Sequence, residues 1–118
     1  MYRPVKKTKE ELKSITDHLI KLLLDGSDLK IEKIILYGSY ARGDANDESD
    51  IDIMVLCDNR EEELDKMRSS INRIGSRISL ENDIDVAVRL KDQNQFDSWL
   101  KVVPFYQSVE REGIVLYG

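Results

Sequence analysis

Gly38-Ser39 and Asp50-Ile51-Asp52, with ten residues between them, are the residues here whose types and spacing can do chemistry. Glycine lets the backbone approach a ligand closely and adopt positive φ. A serine opening a short helix after it presents a hydroxyl and free N–H groups, an arrangement suited to a phosphate. Asp50 and Asp52, two apart on a strand, leave the same face roughly 7 Å apart at Cα. Carboxylates that close repel unless a cation sits between them or one takes up a proton. Oxygen ligands with open water positions suit Mg²⁺, which shares phosphate oxygens readily. A phosphate cradle beside paired acids therefore points to metal-assisted chemistry on a nucleoside triphosphate. Asp85, with Asp83 on the same face of a later alternating run, offers a third acid that could bind a second ion or take a proton. Asp85 is preferred because it lies deeper in the apolar run.

The elements that must position these groups follow from periodicity. Thr8-Lys9-Glu10-Glu11 has the form of a capping box, and Leu12, Ile15, Leu19, Leu22 and Leu23 continue at helical spacing to Asp25-Gly26. Ile31–Tyr37 is β-branched and apolar, a buried strand that Gly38-Ser39 breaks. Ile51, Ile53 and Val55 alternate with Asp50, Asp52 and Met54, which predicts a half-buried strand. Asn59 to Ser79 reads as a long helix with Leu64, Met67, Ile71, Ile74 and Ile78 on one stripe. Asp83 to Leu90 alternates as another strand, with Asp83, Asp85, Ala87 and Arg89 on one face. Asp92 starts a helix, and Pro104 opens a last one that ends at Gly113. The order predicts a small α/β domain with one sheet and helices packed on it.

Composition bounds the rest. The chain has 118 residues, room for one domain (1–118, with 1–7 expected as a flexible N-terminus), and 35% of them are charged. Its net charge of −5 disfavours direct nucleic-acid binding by phosphate neutralisation. One cysteine excludes an internal disulfide and fits the cytoplasm; no apolar stretch predicts a membrane span or a signal peptide.

The segment Gly38-Ser39-Tyr40-Ala41-Arg42-Gly43 with Ser49-Asp50-Ile51-Asp52-Ile53 resembles the minimal nucleotidyltransferase branch of the DNA polymerase β-like superfamily, and the tail from Pro104 to Tyr117 is similar to it as well. The resemblance implies a nucleotidyltransferase fold with a small mixed sheet flanked by helices. It implies Asp50, Asp52 and Asp85 as the metal-binding, catalytic triad, with Mg²⁺ as cofactor and ATP or another NTP as donor. Gly38, Ser39, Arg42 and Ser49 become the expected nucleotide-binding residues. Many members of that branch are antitoxins that adenylylate a tyrosine of a helical HEPN-type toxin, and such a toxin is the expected partner. With no room for an acceptor-binding domain in 118 residues, the acceptor is expected to come from a second chain. A transferase acting on RNA or a small molecule, and a non-catalytic binding antitoxin, are the alternatives. Among the remaining residues, Tyr40 could stack on a base or simply pack, His18 reads as a boundary residue, and Cys57 as a small hydrophobe.

Overall fold

Thr8 starts the first helix by the reciprocal mechanism its sequence predicts. Its hydroxyl accepts from the Glu11 N–H (3.1 Å) while Glu11 Oε1 accepts from the Thr8 N–H (2.9 Å). The computed structural model describes residues 3–118. From that cap run α1 (Lys9–Asp25), β1 (Ile31–Tyr37), α2 (Ser39–Arg42), β2 (Ile51–Cys57), α3 (Glu61–Asn82), β3 (Val86–Asp92), α4 (Gln93–Trp99), α5 (Pro104–Glu112) and β4 (Ile114–Tyr117). The four strands form one mixed sheet in the order β3-β2-β1-β4. β1 pairs antiparallel with both β2 and β4, whereas β3 joins β2 in parallel through the α3 crossover.

Alternation along the strands divides the core in two. One face carries Ile34, Leu36, Ile51, Ile53 and Val55 against Ile15, Leu19 and Leu23 of α1 and Leu64, Ile71 and Ile78 of α3. The other carries Ile35, Tyr37, Met54 and Leu56 against Phe96 of α4 and Val109 of α5. β2 is therefore covered on both sides and is nearly all buried, where alternation alone predicts a half-buried strand. The difference arises because α4 and α5 fold back over the face that Asp52 shares with Met54 and Leu56.

Three boundaries differ from the periodic reading. α3 continues through Asn82 rather than stopping at Ser79. Asp83 then takes the left-handed conformation (φ 56°, ψ 40°) and caps the helix, its N–H donating to the Ser79 carbonyl, a role that aspartate tolerates better than most residues. Asp83 is thus a helix cap, not a strand residue, and β3 begins only at Val86. At the other end, Ile114–Tyr117 forms a fourth strand that the sequence reading does not include. Four apolar residues carry too little periodicity to announce a strand, and pairing along the open edge of β1 decides it. Residues 1 and 2 of the expected flexible N-terminus lie outside the described residues. Within the rest of it, the Lys6 N–H donates to Asp47 Oδ1 (2.9 Å) and the Lys7 N–H to the Tyr40 hydroxyl (3.0 Å).

Phe96 is 1% exposed and is the largest side chain holding α4 to the second face. Phe96→Ala is expected to destabilise the domain by about 3–5 kcal/mol, the range for deleting a buried phenyl ring. Urea unfolding monitored by circular dichroism measures it.

Candidate active site

The β1–β2 register places Tyr37 directly opposite Asp52, so the turn that follows Tyr37 must pass over that carboxylate. Gly38 makes the passage possible. It adopts φ 77°, ψ −159°, a region essentially reserved for glycine. A Cβ at this position would collide with Asp52 Oδ2 and lie 3.3 Å from its Cγ. Ser39–Arg42 then turns into α2, with the Ala41 and Arg42 N–H groups donating to the Gly38 carbonyl at 3.1 and 3.0 Å. Gly43 closes the turn in the left-handed conformation, φ 86°.

Asp52 is only partly exposed, and burial is the main reason its carboxyl is pushed above the usual carboxylate range; the neighbouring Asp50 charge pushes it the same way. Arg89 and Arg42 draw it back in part. Asp85 precedes β3, and its carbonyl accepts the Ile51 N–H at 2.9 Å, which sets Asp85 alongside Asp50 in the parallel ladder. Asp50, Asp83 and Asp85 all line a common open cleft with Ser49, Ser79 and Leu80. Of the two later acids, Asp85 is the one in ladder register with Asp50, and Asp83 is the α3 cap. Among the described residues, no three His, Cys, Asp or Glu side chains converge as a ready-made metal set. The pair at Asp50 and Asp52 nonetheless fits a hard divalent cation. Its donors are carboxylate oxygens, and one is desolvated and repelled by the other.

The other expected site residues are engaged locally. Arg42 holds Asp44 (Nε–Oδ2 3.2 Å) and Glu112 (Nη1–Oε2 3.6 Å), tying α2 to the end of α5. The Ser49 hydroxyl accepts from the Asn46 N–H (2.9 Å) and so shapes the turn before β2. Tyr40 is 9% exposed, and its hydroxyl accepts from the Lys7 N–H, so it packs and presents no face to a base. Cys57 is fully buried, which pushes its thiol up to about 12 and removes it from nucleophilic chemistry. His18 sits at the boundary, 3.9 Å from Glu81.

Sequence reasoning passed over two residues beside Asp52. Tyr37 is 8% exposed and its hydroxyl is buried without a hydrogen-bond partner. Arg89, opposite Met54 in the ladder, lies two residue pairs beyond Asp52↔Ala87 and so on the same face. The alternation that put Arg89 on the acid side of its strand was the available signal.

Because the Asp52 carboxyl is raised, the folded domain binds a proton there more tightly than the unfolded chain does. Its stability at this residue falls as pH rises from the unfolded carboxylate value through the raised folded one. Asp52→Asn should therefore raise the melting temperature of the metal-free protein by a few degrees at pH 7. The gain should shrink as pH is lowered into the acid range, in calorimetric scans of both proteins.

The chain matches the model of the polymerase β nucleotidyltransferase family over residues 17–81, more than half its length. The matched residues take in Gly38, Ser39, Asp50 and Asp52 and stop short of Asp85. Two Methanocaldococcus jannaschii proteins assigned as protein adenylyltransferases are similar to it. One is 46% identical over 55 residues, 47% of this chain and 54% of the relative. The second is 50% identical over 52 residues, 44% and 50% of the two chains. The chain thus spans about half the length of the curated relatives it matches. A chain of a toxin–antitoxin complex solved with AMP-PNP superimposes with a TM-score of 0.59 at 27% identity, covering 86% of this chain and 72% of that one. A chain from the complex of a tri-AMPylated Shewanella oneidensis HEPN toxin with its MNT antitoxin has the same fold, with a TM-score of 0.55 at 24% identity over 90% and 71% of the two chains. The family match runs from within α1, across the Gly-Ser turn and the paired acids, nearly to the end of α3, and the chain belongs to the polymerase β nucleotidyltransferase family.

Proposed function

We propose that this nucleotidyltransferase moves AMP from Mg-ATP to a tyrosine hydroxyl of a helical HEPN-type toxin and thereby acts as its antitoxin. The observation that carries the reading is the likeness, over 86% of the chain, to a chain of a toxin–antitoxin complex with AMP-PNP. The paired acids against a glycine-only turn supply chemistry consistent with it.

In this reading Asp50 and Asp52 hold divalent magnesium, which when bound neutralises charge on the triphosphate and the departing pyrophosphate. Gly38 admits the phosphates close to the backbone, and Ser39 offers its hydroxyl to them. Arg42 and Ser49 keep the walls of that cradle in place through Glu112 and Asn46, and are counted with the nucleotide-binding residues. Asp85, beside Asp50, takes the proton of the acceptor hydroxyl. The acceptor oxygen bonds to the α-phosphorus as the bond to pyrophosphate breaks, so that positioning and charge neutralisation account for most of the rate. Desolvation of Asp52 serves this function, because a carboxylate poorly hydrated in the free protein gains more from a cation than a solvated one does. The net charge of −5 steers the domain toward a basic acceptor surface.

Incubation with α-labelled ATP, Mg²⁺ and a copurifying helical partner should place label on the partner and shift its mass by one or more AMP units. Asp50→Asn should abolish the shift. Label appearing on RNA or an aminoglycoside without the partner would replace this reading with a different transfer. Partner inhibition without label would make the domain a binding antitoxin.

Asp85→Asn should cut transfer by roughly 10²–10⁴-fold, the usual worth of a general base, while much of the Mg-ATP affinity remains. Asp83→Asn should leave transfer near the wild-type rate. Parallel single-turnover assays and calorimetric titrations of the two variants test this assignment of roles.

A further inference from the structure

The face of the sheet that carries Asp52 also carries a guanidinium with no carboxylate partner. Arg89 is exposed, and among the described residues it enters no ion pair. By contrast Arg42, the other cation acting on Asp52, is occupied by Asp44 and Glu112. A flexible arginine in the field of Asp52 would ordinarily close onto it. Arg89 is instead held over the Phe105 ring, its Cζ 5.7 Å from the centroid. Phe105 is itself fixed edge-to-face on Tyr37, with centroids 5.8 Å apart and planes at 83°. The Tyr37 hydroxyl lies in the field of the same guanidinium, buried, with no hydrogen bond of good geometry. Arg89 draws down both the Tyr37 hydroxyl and the Asp52 carboxyl, which burial pushes up, so its charge reaches both.

A buried hydroxyl without a partner is uncommon and asks for a reason. Here it sits beneath a cation whose planar fork of donors is committed to no carboxylate. That fork matches a phosphate in geometry and charge. A magnesium triphosphate is still net negative, and the carboxylates that would hold its metal repel its oxygens, so a cation on β3, across β2 from Gly38, would offset charge that the metal leaves.

We propose that Arg89 is a nucleotide-binding residue that takes a phosphate oxygen of Mg-NTP across the site from Gly38 and Ser39, with Phe105 and the Tyr37 hydroxyl as positioning residues that aim it. This rests on the nucleotidyltransferase reading above and adds a phosphate contact outside the segment matched to the family. Tyr37 does not touch the nucleotide; it accepts a guanidinium N–H once the fork is drawn to the phosphate.

Calorimetric titration of the intact protein with Mg-ATP, with no acceptor present, tests this. R89A should weaken binding roughly 10- to 100-fold, the range for one lost charge-assisted hydrogen bond. R89K, which keeps the charge and loses the fork, should fall between R89A and wild type. Y37F should weaken binding severalfold, and that loss should vanish in the R89A background, because a positioning residue has nothing left to aim. Circular dichroism melts confirm that each variant is folded. Wild-type binding that D50N abolishes, together with unchanged affinity in R89A, would overturn the inference and leave the nucleotidyltransferase reading standing. Unchanged Mg-ATP affinity in R89A with a raised KM for the protein acceptor would also overturn it, making Arg89 an acceptor contact. A full Y37F loss in the R89A background would overturn the positioning role of Tyr37. Failure of the wild type to bind Mg-ATP would overturn both the reading and the inference.

Discussion

The close approach of the Gly38 backbone to the Asp52 carboxylate is the constraint from which the rest of the site follows. Antiparallel pairing of β1 with β2 sets Tyr37 against Asp52, and the chain must then leave β1 directly over the acid. No side chain fits between the turn and the carboxylate, and only glycine adopts the backbone angles that the exit requires. Shielded by this backbone, Asp52 is less hydrated than its neighbour Asp50. The same turn starts α2, and Arg42 at its end reaches Glu112 of α5, so the turn also anchors the far side of the second core.

Holding Asp50 and Asp52 together works against folding, since one is desolvated and each repels the other. The sheet tolerates this because the acids lie at the very start of β2, while Ile51, Ile53, Met54, Val55 and Leu56 are almost wholly buried behind them. Burying five large aliphatic side chains contributes on the order of 10 kcal/mol at about 1.5–3 kcal/mol each, which exceeds what two strained carboxylates can take back. The destabilising groups are confined to the open end of a strand whose remainder carries the stability. This is the common division between a rigid scaffold and a strained functional edge.

The two faces of the sheet are unequal in a way that bears on function. α1 and α3 cover the first with a large, mostly aliphatic core whose ionisable side chains, among the described residues, are the Tyr40 phenol and the Cys57 thiol. The second is closed by α4 and α5 with fewer residues, Phe96 and Tyr106 among them, and two cations lie over aromatic rings of the same helices: Arg89 over Phe105 and, at 4.0 Å, Lys91 over Trp99. Aromatic faces let charged side chains remain beside a buried layer without a carboxylate to neutralise them. The face that carries the acids is therefore also the one that can hold uncommitted positive charge beside them.

Much of the fold is legible in the residues one at a time. The Thr8–Glu11 box, the period of α1 and α3, the apolar run of β1 and the break at Gly38-Ser39 are local signals, and the structure contains each where its residues place it. The paired acids and their spacing from the turn are equally local, which is why the kind of chemistry could be read before the fold was known. Tertiary structure decided what pairing and covering decide. Ile114–Tyr117 became a strand because β1 offered an open edge. Asp83 became a helix cap because α3 ran on until a left-handed residue stopped it, and that left Asp85 as the acid carried beside Asp50. A glycine turn at 38 could be read from the chain, but neither the Asp52 carboxylate that makes it obligatory, nor the rise in that carboxyl, nor the placement of Tyr37, Phe105 and Arg89 around it could be. Each depends on which residues from β1, β3 and α5 come to lie against one carboxylate, and that is set by strand register and helix docking over separations no local pattern spans.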